Sequence, residues 1–208
     1  MHIARSALLR RLLLAVPAST LLPTLPAHAL IGEVTGAGFY QADDKSWDIT
    51  LPSPSWKVDE TRSPRAEHPK RIFHVTGSGP SGATFDMSVD PTPGMRSASE
   101  LGKVDAVGAR LASVYGELLS ADVVPGVVRG SKYYVMQFKS PAGGTATVKM
   151  DAKQGRTYTL SSSLPAKASA ALQAESDALI DSFKCFPVNA ICISQSNGGS
   201  TPVSGSCY

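Results

Sequence analysis

The sequence predicts an α+β domain in which an antiparallel β-sheet carries helices on both faces, an α-β-α sandwich. Three observations predict it. The stretch 132–163 holds three strand candidates, 132–139, 145–150 and 156–160, joined by loops too short for anything but antiparallel neighbours. In the first candidate Tyr134, Met136 and Phe138 share one face while Tyr133 and Val135 share the other, which predicts a central strand covered on both sides. The order of elements along the chain, strands then helix then strands then helix, is that of an antiparallel sheet with segregated helices.

Residues 30–38 are small and glycine-rich and read as a flexible lead-in. Asp43-Asp44-Lys45 forms a turn before an alternating strand over 46–51, and Pro52 and Pro54 end that strand because proline cannot donate to a ladder. The polar stretch 57–70, with Pro64 and Pro69, reads as an exposed loop. Strands follow at 71–75 and 83–89, the second with Phe85, Met87 and Val89 on one face. Between them Gly77-Ser78-Gly79-Pro80-Ser81-Gly82 matches G-x-G-x-x-G in form. A dinucleotide site needs a strand, the loop and then a helix, and here a second strand follows, so the motif reads as a hairpin loop.

Pro91-Thr92-Pro93-Gly94 breaks the chain. Ser97 and Glu100 then have the spacing of a capping box. Leu101, Val104, Val107, Leu111, Val114, Tyr115 and Leu118 recur at helical steps and give one apolar stripe. Gly102 and Gly108 weaken this helix by up to roughly 1 kcal/mol each relative to alanine. Residues 123–128 read as an edge strand or bulged hairpin. In the meander, Ala146, Val148 and Met150 oppose Thr145, Thr147 and Lys149, a turn follows at 151–155, and Tyr158 and Leu160 oppose Thr157 and Thr159. A second helix is expected over 166–184, with Leu172, Leu179, Ile180 and Phe183 inward and Pro187 as its stop. Residues 187–208 form a cysteine-bearing tail rich in Ser, Gly and Asn.

With 208 residues, 42% of them hydrophobic, the chain can bury one core and is short for two. Arg5, Arg10 and Arg11 precede the first acidic residue, Glu33; without them 17 of the 20 basic residues remain against 17 acidic ones. The body is therefore neutral, which argues against nucleic-acid binding. Residues 1–29 read as a signal peptide: paired arginines of twin-arginine type, a modest apolar run, and Ala27-His28-Ala29 with cleavage after Ala29. The prolines at 17, 23 and 26 argue against a spanning helix. In an oxidising compartment Cys185, Cys192 and Cys207 allow one disulfide and one free thiol, either Cys192–Cys207 or Cys185–Cys192. No C-x-x-C occurs, which argues against dedicated thiol exchange.

Few residues carry candidate chemistry. His68 and His74, with Asp86 or Asp90 across a hairpin, are metal-ligand types, and Asp43 and Asp44 offer hard oxygens suited to calcium; ordinary surface and turn roles compete with both. No G-x-S-x-G is present, and no Ser, His and Asp are placed for acyl transfer. Arg62, Arg65, Lys70 and Arg71 cluster on and after the polar loop and could dock on an acidic partner surface.

At these residues the sequence resembles the PsbP family, named for an extrinsic lumenal subunit of photosystem II. Tyr40-Gln41-Ala42-Asp43-Asp44-Lys45-Ser46-Trp47, running on to Pro52 and Trp56, resembles the family's opening. Lys132-Tyr133-Tyr134 to Phe138 resembles its Y-Y-x-x-x-f strand, Gly155-Arg156-Thr157-Tyr158-Thr159-Leu160 its G-k-l-Y-x-l strand, and Ser182-Phe183 the close of its last helix. The resemblance spans residues 39–186 and gives a domain at 30–186.

The resemblance implies an α-β-α sandwich in the chloroplast thylakoid lumen, peripheral on the lumenal side and non-enzymatic. Its partners would be photosystem subunits. Its role would be to support the oxygen-evolving complex of photosystem II, retain ions, with calcium as the family's ion, or assist assembly or repair. A photosystem I assembly factor of the same fold, an exported redox or hydrolytic enzyme, and a periplasmic protein of similar fold are the alternatives. Residues 30–38 hold no Lys or Arg where the plant subunit has a lysine-bearing arm. Thr145 and Ala166 stand near the plant family's proposed metal pair, so that pair does not carry over. Ser169 stands near the usual Trp of the last helix. These departures favour a PsbP-like auxiliary protein over the stoichiometric subunit.

Overall fold

A computed structural model describes residues 31–33, 38–42, 44–59, 71–126 and 130–187. Residues 1–29, read above as a signal peptide with cleavage after Ala29, and the tail beyond 187 lie outside the described residues.

The large sheet has seven antiparallel strands: β4 (Lys57–Asp59), β5 (Phe73–Ser78), β6 (Thr84–Pro91), β7 (Glu117–Pro125), β8 (Lys132–Lys139), β9 (Thr145–Lys153) and β10 (Arg156–Leu164). Across the sheet they run β4-β5-β6-β10-β9-β8-β7. A second, four-stranded sheet, β1-β2-β3-β11, joins Ile31–Glu33, Phe39–Ala42 and Trp47–Thr50 to Lys184–Cys185 from the far end of the chain. Two α-helices occur among the described residues, α1 (Val104–Tyr115) and α2 (Ala170–Ser182).

The helices lie on opposite faces, as the pattern predicts. One core holds Trp47, Trp56, Phe85, Tyr133, Tyr158 and Leu160 with Leu172 and Leu179 of α2, Phe183 just after it, and the small sheet. The other holds Tyr134, Met136, Phe138, Val148 and Met150 with Val107, Leu111 and Tyr115 of α1. Strand β8 thus contributes to both cores, but it is second from the edge. The centre belongs to β10, whose Tyr158 and Leu160 are fully buried.

Several expected boundaries move for identifiable reasons. The capping box does not form: Ser97 bonds Ser99, and a short 3-10 turn, Ala98–Leu101, ends at Gly102. Gly102 has φ +106°, outside the helical region, and its carbonyl accepts a 2.7 Å bond from the Tyr134 hydroxyl. The helix therefore begins at Val104, and Leu118 belongs to β7. The second helix starts at Ala170, because Ser169 caps it by accepting from the Leu172 amide at 3.2 Å. Strand β9 runs on to Lys153, and the reversal is the two-residue Gln154-Gly155 turn, with φ +49° and +77°. The lead-in contributes strand β1, and Lys57–Asp59 is an edge strand rather than loop.

The glycine motif is a hairpin connection between β5 and β6, and its glycines make room for aromatic rings. A Cβ at Gly77 would lie 2.0 Å from the Phe85 ring and 2.5 Å from the Lys57 carbonyl oxygen; one at Gly79 would lie 2.8 Å from the Trp56 ring.

Candidate functional site

Strict alternation in β6 and β10 gives the large sheet two unlike faces. Phe85, Met87, Val89, Tyr158 and Leu160 point into the core beneath α2. Thr84, Asp86, Ser88 and Asp90 of β6, and Thr157, Thr159 and Ser161 of β10, point the other way. Register sets Ser161 beside Asp86, Thr159 beside Ser88, and Ser88 beside His74 of β5. On this face α1 packs on β7 and β8, and the 3-10 turn on β8 and β9, where the side chains are apolar. The β10-β6-β5 half is polar.

His74, Ser88, Thr157 and Ser161 form a buried floor to this half. Two side-chain pairs stand on it. His74 Nε2 hydrogen-bonds Asp86, which fixes the ring by its carboxylate. Arg71 Nε lies 3.1 Å from Asp90 Oδ1. Their side chains remain partly exposed: 34% for Asp86, 37% for Asp90 and 27% for Arg71. Tyr115, the last residue of α1, closes one side; it packs on Phe138 at 5.4 Å and hydrogen-bonds Ser161. Burial raises the Tyr115 pKa, the Ser161 bond offsets part of that, and Asp86 adds to it. The array offers hydroxyls, an imidazole held by a carboxylate and an Arg–Asp ion pair on a sheet surface, which suits recognition of a polar partner.

On the opposite face a layer of buried charge ties the small sheet and α2 to the large sheet. Lys149 Nζ donates to the Ile180 and Asp181 carbonyls at 3.0 and 3.2 Å, at the C-terminal end of α2, where a cation also suits the helix dipole. Lys153 Nζ bonds the Cys185 carbonyl at 2.9 Å and pairs with Asp151 Oδ2 at 2.8 Å. Both ammonium groups sit over the Tyr133 ring, at 4.8 and 5.7 Å from its centroid. The Tyr133 hydroxyl accepts the Cys185 amide at 2.8 Å. Burial pushes the Lys149 pKa down and the Asp151 pKa up, the latter resisted by Lys153.

The motifs singled out in the sequence meet here. Asp44 of the opening stretch binds Arg156 Nη1 at 2.7 Å, and its other oxygen accepts the Ser46 amide at 3.1 Å. Ser182 accepts from the Thr50 amide at 2.9 Å and donates to the Leu179 carbonyl at 2.7 Å. Phe183 packs on Tyr133 at 6.1 Å.

The candidate residues therefore part company. His74 and Asp86 come together, with Arg71 near them; Asp44 lies across the sheet with both carboxylate oxygens engaged, which suits a brace better than a calcium ligand. Asp43, Arg62, Arg65, His68 and Lys70 lie outside the described residues. Among the described residues no three His, Cys, Asp or Glu side chains converge as a metal site. Cys185 is a free and fully buried thiol, and burial lifts its pKa well above the ordinary value, away from thiolate reactivity. Cys192 and Cys207 lie outside the described residues. The sequence reading missed Tyr115, Ser161 and Ser88; the alternation in 83–89 and 156–161 was the signal that could have found the last two.

No protein-family profile matches the sequence, and no curated protein matches it. Among solved structures, the chain is similar to the solution structure of cyanobacterial PsbP (CyanoP) from Synechocystis sp. PCC 6803. The two share 15% identity and superpose with a TM-score of 0.55, over 74% of this chain and 98% of that one. The two helical faces and the antiparallel sheet agree with the sandwich that the sequence resemblance implies, and the chain has a PsbP-like fold.

Proposed function

We propose that this chain is a non-enzymatic extrinsic protein of the chloroplast thylakoid lumen that docks on photosystem II and supports its oxygen-evolving complex, assembly or repair. The observation that carries the reading is the polar half of the large sheet, built on a fold shared with cyanobacterial PsbP. The sequence resemblance over 39–186 supports it independently of the fold. Arg71 pairs with Asp90 on this half, and Arg62, Arg65 and Lys70 precede it in the chain. Basic residues of this kind suit docking on an acidic lumenal surface, with charge steering the encounter. Among the described residues no helix is long and apolar enough to cross a membrane, which fits peripheral attachment.

The test is sedimentation with thylakoid membranes. The chain should pellet with them at low ionic strength and leave at high salt, because screening shortens to about 3 Å near 1 M. Affinity purification from solubilised thylakoids should bring down photosystem II subunits. A chain that stays in the soluble extract at low ionic strength, or purifies without a photosystem subunit, overturns the reading.

A further inference from the structure

The structure sets one of the three cysteines apart from the other two. Cys185 lies in β11, which pairs with β3, and it stands opposite Trp47. Its side chain is 0% exposed and belongs to the core of Trp47, Tyr133 and Phe183. Its backbone is held as firmly. The amide donates to the Tyr133 hydroxyl at 2.8 Å, and the carbonyl accepts from Lys153 Nζ at 2.9 Å. The next amide, that of Phe186, donates to the Ser46 carbonyl at 2.8 Å. A disulfide needs Cα atoms about 4.4–6.8 Å apart and Cβ vectors that face each other. A partner for Cys185 would have to enter the core, or β11 would have to leave its sheet and give up these bonds. Burial also keeps this thiol protonated, whereas exchange proceeds through the thiolate.

We infer that Cys192 and Cys207 are the pair this chain oxidises, joined in one disulfide that closes residues 192–207 into a loop, while Cys185 stays a thiol. The burial of Cys185 removes it from both pairings in which it could take part and leaves this one. Gly198, Gly199 and Gly205 lie between the two cysteines, and glycine lets a chain turn back on itself. Closing a loop of this length carries a modest entropic cost. The step is exchange with a disulfide oxidant. The thiolate of one cysteine attacks a sulfur of the oxidant, whose S–S bond breaks and releases one thiol. The thiolate of the other cysteine then attacks the mixed disulfide, the new S–S bond forms, and the oxidant leaves as its second thiol. Two protons and two electrons pass from the chain to the oxidant. The pairing rests on the core around Cys185 and not on the docking face. Export by the signal read at 1–29 would bring the chain to such an oxidant. A chain held in a reducing compartment would keep both thiols there and form the same bond in a redox buffer.

The experiment equilibrates the folded full chain, dilute, across ratios of oxidised to reduced glutathione. Exchange is quenched with acid, free thiols are labelled with a maleimide in denaturant, and the intact mass is read. The parent should lose two hydrogens and take one label. Cys192→Ser and Cys207→Ser should each lose the intramolecular bond, and Cys185→Ala should keep it and take no label. Cys185→Ala opens a hole in the core, so circular dichroism must show it folded. Should it fail to fold, Cys207→Ser decides the pairing alone, because a bond between Cys185 and Cys192 would survive that change and the inferred bond would not. A bond that survives Cys207→Ser or Cys192→Ser overturns the inference. So does a parent that stays reduced even in oxidised glutathione alone, or one whose cysteines link two copies of the chain instead.

Discussion

Replacing Gly77 by alanine tests the packing account of the glycine motif. Gly77 sits in β5 between Val58 of β4 and Phe85 of β6, its partners across the two ladders. An alanine Cβ would lie 2.0 and 2.2 Å from two carbons of the Phe85 ring and 2.5 Å from the Lys57 carbonyl oxygen. Carbon atoms pack comfortably at roughly 3.5–4.0 Å. The ring would have to retreat by about 1.5 Å to restore that spacing. It has nowhere to go: Phe85 is only 2% exposed, and the Trp56 ring, also 2% exposed, stands 6.2 Å away. Overpacking of this kind costs about 1–3 kcal/mol, and with a backbone atom in the clash the upper end is expected. For a domain of this size about 3 kcal/mol lowers Tm by roughly 10 °C. Gly82→Ala is the internal control, because nothing lies within 4 Å of its added Cβ and only its φ of +83° opposes the change. That strain is worth about 1–2 kcal/mol, a fall of a few degrees. Thermal melts followed by circular dichroism measure both. Adding Phe85→Leu to Gly77→Ala should recover part of the loss and leave the Lys57 contact. A Gly77→Ala variant that melts no lower than Gly82→Ala would refute the packing argument.

Other substitutions probe the buried ionic layer. Lys153→Met should cost about 3–5 kcal/mol, because Asp151, 1% exposed, is left buried without its partner; adding Asp151→Asn should return much of it in urea denaturation. Tyr133→Phe leaves the buried Cys185 amide without its acceptor and should cost about 1–3 kcal/mol while the ring keeps its place over Phe183. Asp48 is buried, and that burial raises its pKa above 3.8 despite the opposing Lys184. Its favourable contribution is complete below the ordinary value near 3.8 and is lost as pH rises through the raised folded value. Asp48→Asn should therefore be more stable than the parent at neutral pH, and the two melting curves should converge as the buffer is brought toward acid.

The sandwich was legible because its cues are local: two-residue alternation in 83–89 and 132–160, and a helical stripe in 104–115. The small sheet was not, since its strands have two to four residues and β3 meets β11 only after the whole large sheet is built. Charge misled the reading at Asp151 and Lys153, which looked like turn residues and instead extend β9 as a buried pair. Gly102 misled it in the other direction, as a weak point inside a helix that in fact begins only after it, at Val104. Of the candidate site, the polar character of one face could be read from Thr157, Thr159 and the residues alternating with Phe85 and Met87. The His74–Asp86 contact could not, because it depends on the register of β5 against β6. Arg71 was picked out for its neighbours in sequence; its pairing with Asp90 needed the same register.

The account stands most directly on which face meets the partner. A photo-crosslinking side chain introduced at Thr84, exposed on the polar half of the large sheet, can be compared with one at Ala171, exposed on α2 across the molecule. With isolated thylakoids at low ionic strength, crosslinks to photosystem II subunits are expected from position 84 and not from 171. Crosslinks from 171 alone, or from neither position while the chain still pellets with the membranes, would contradict it.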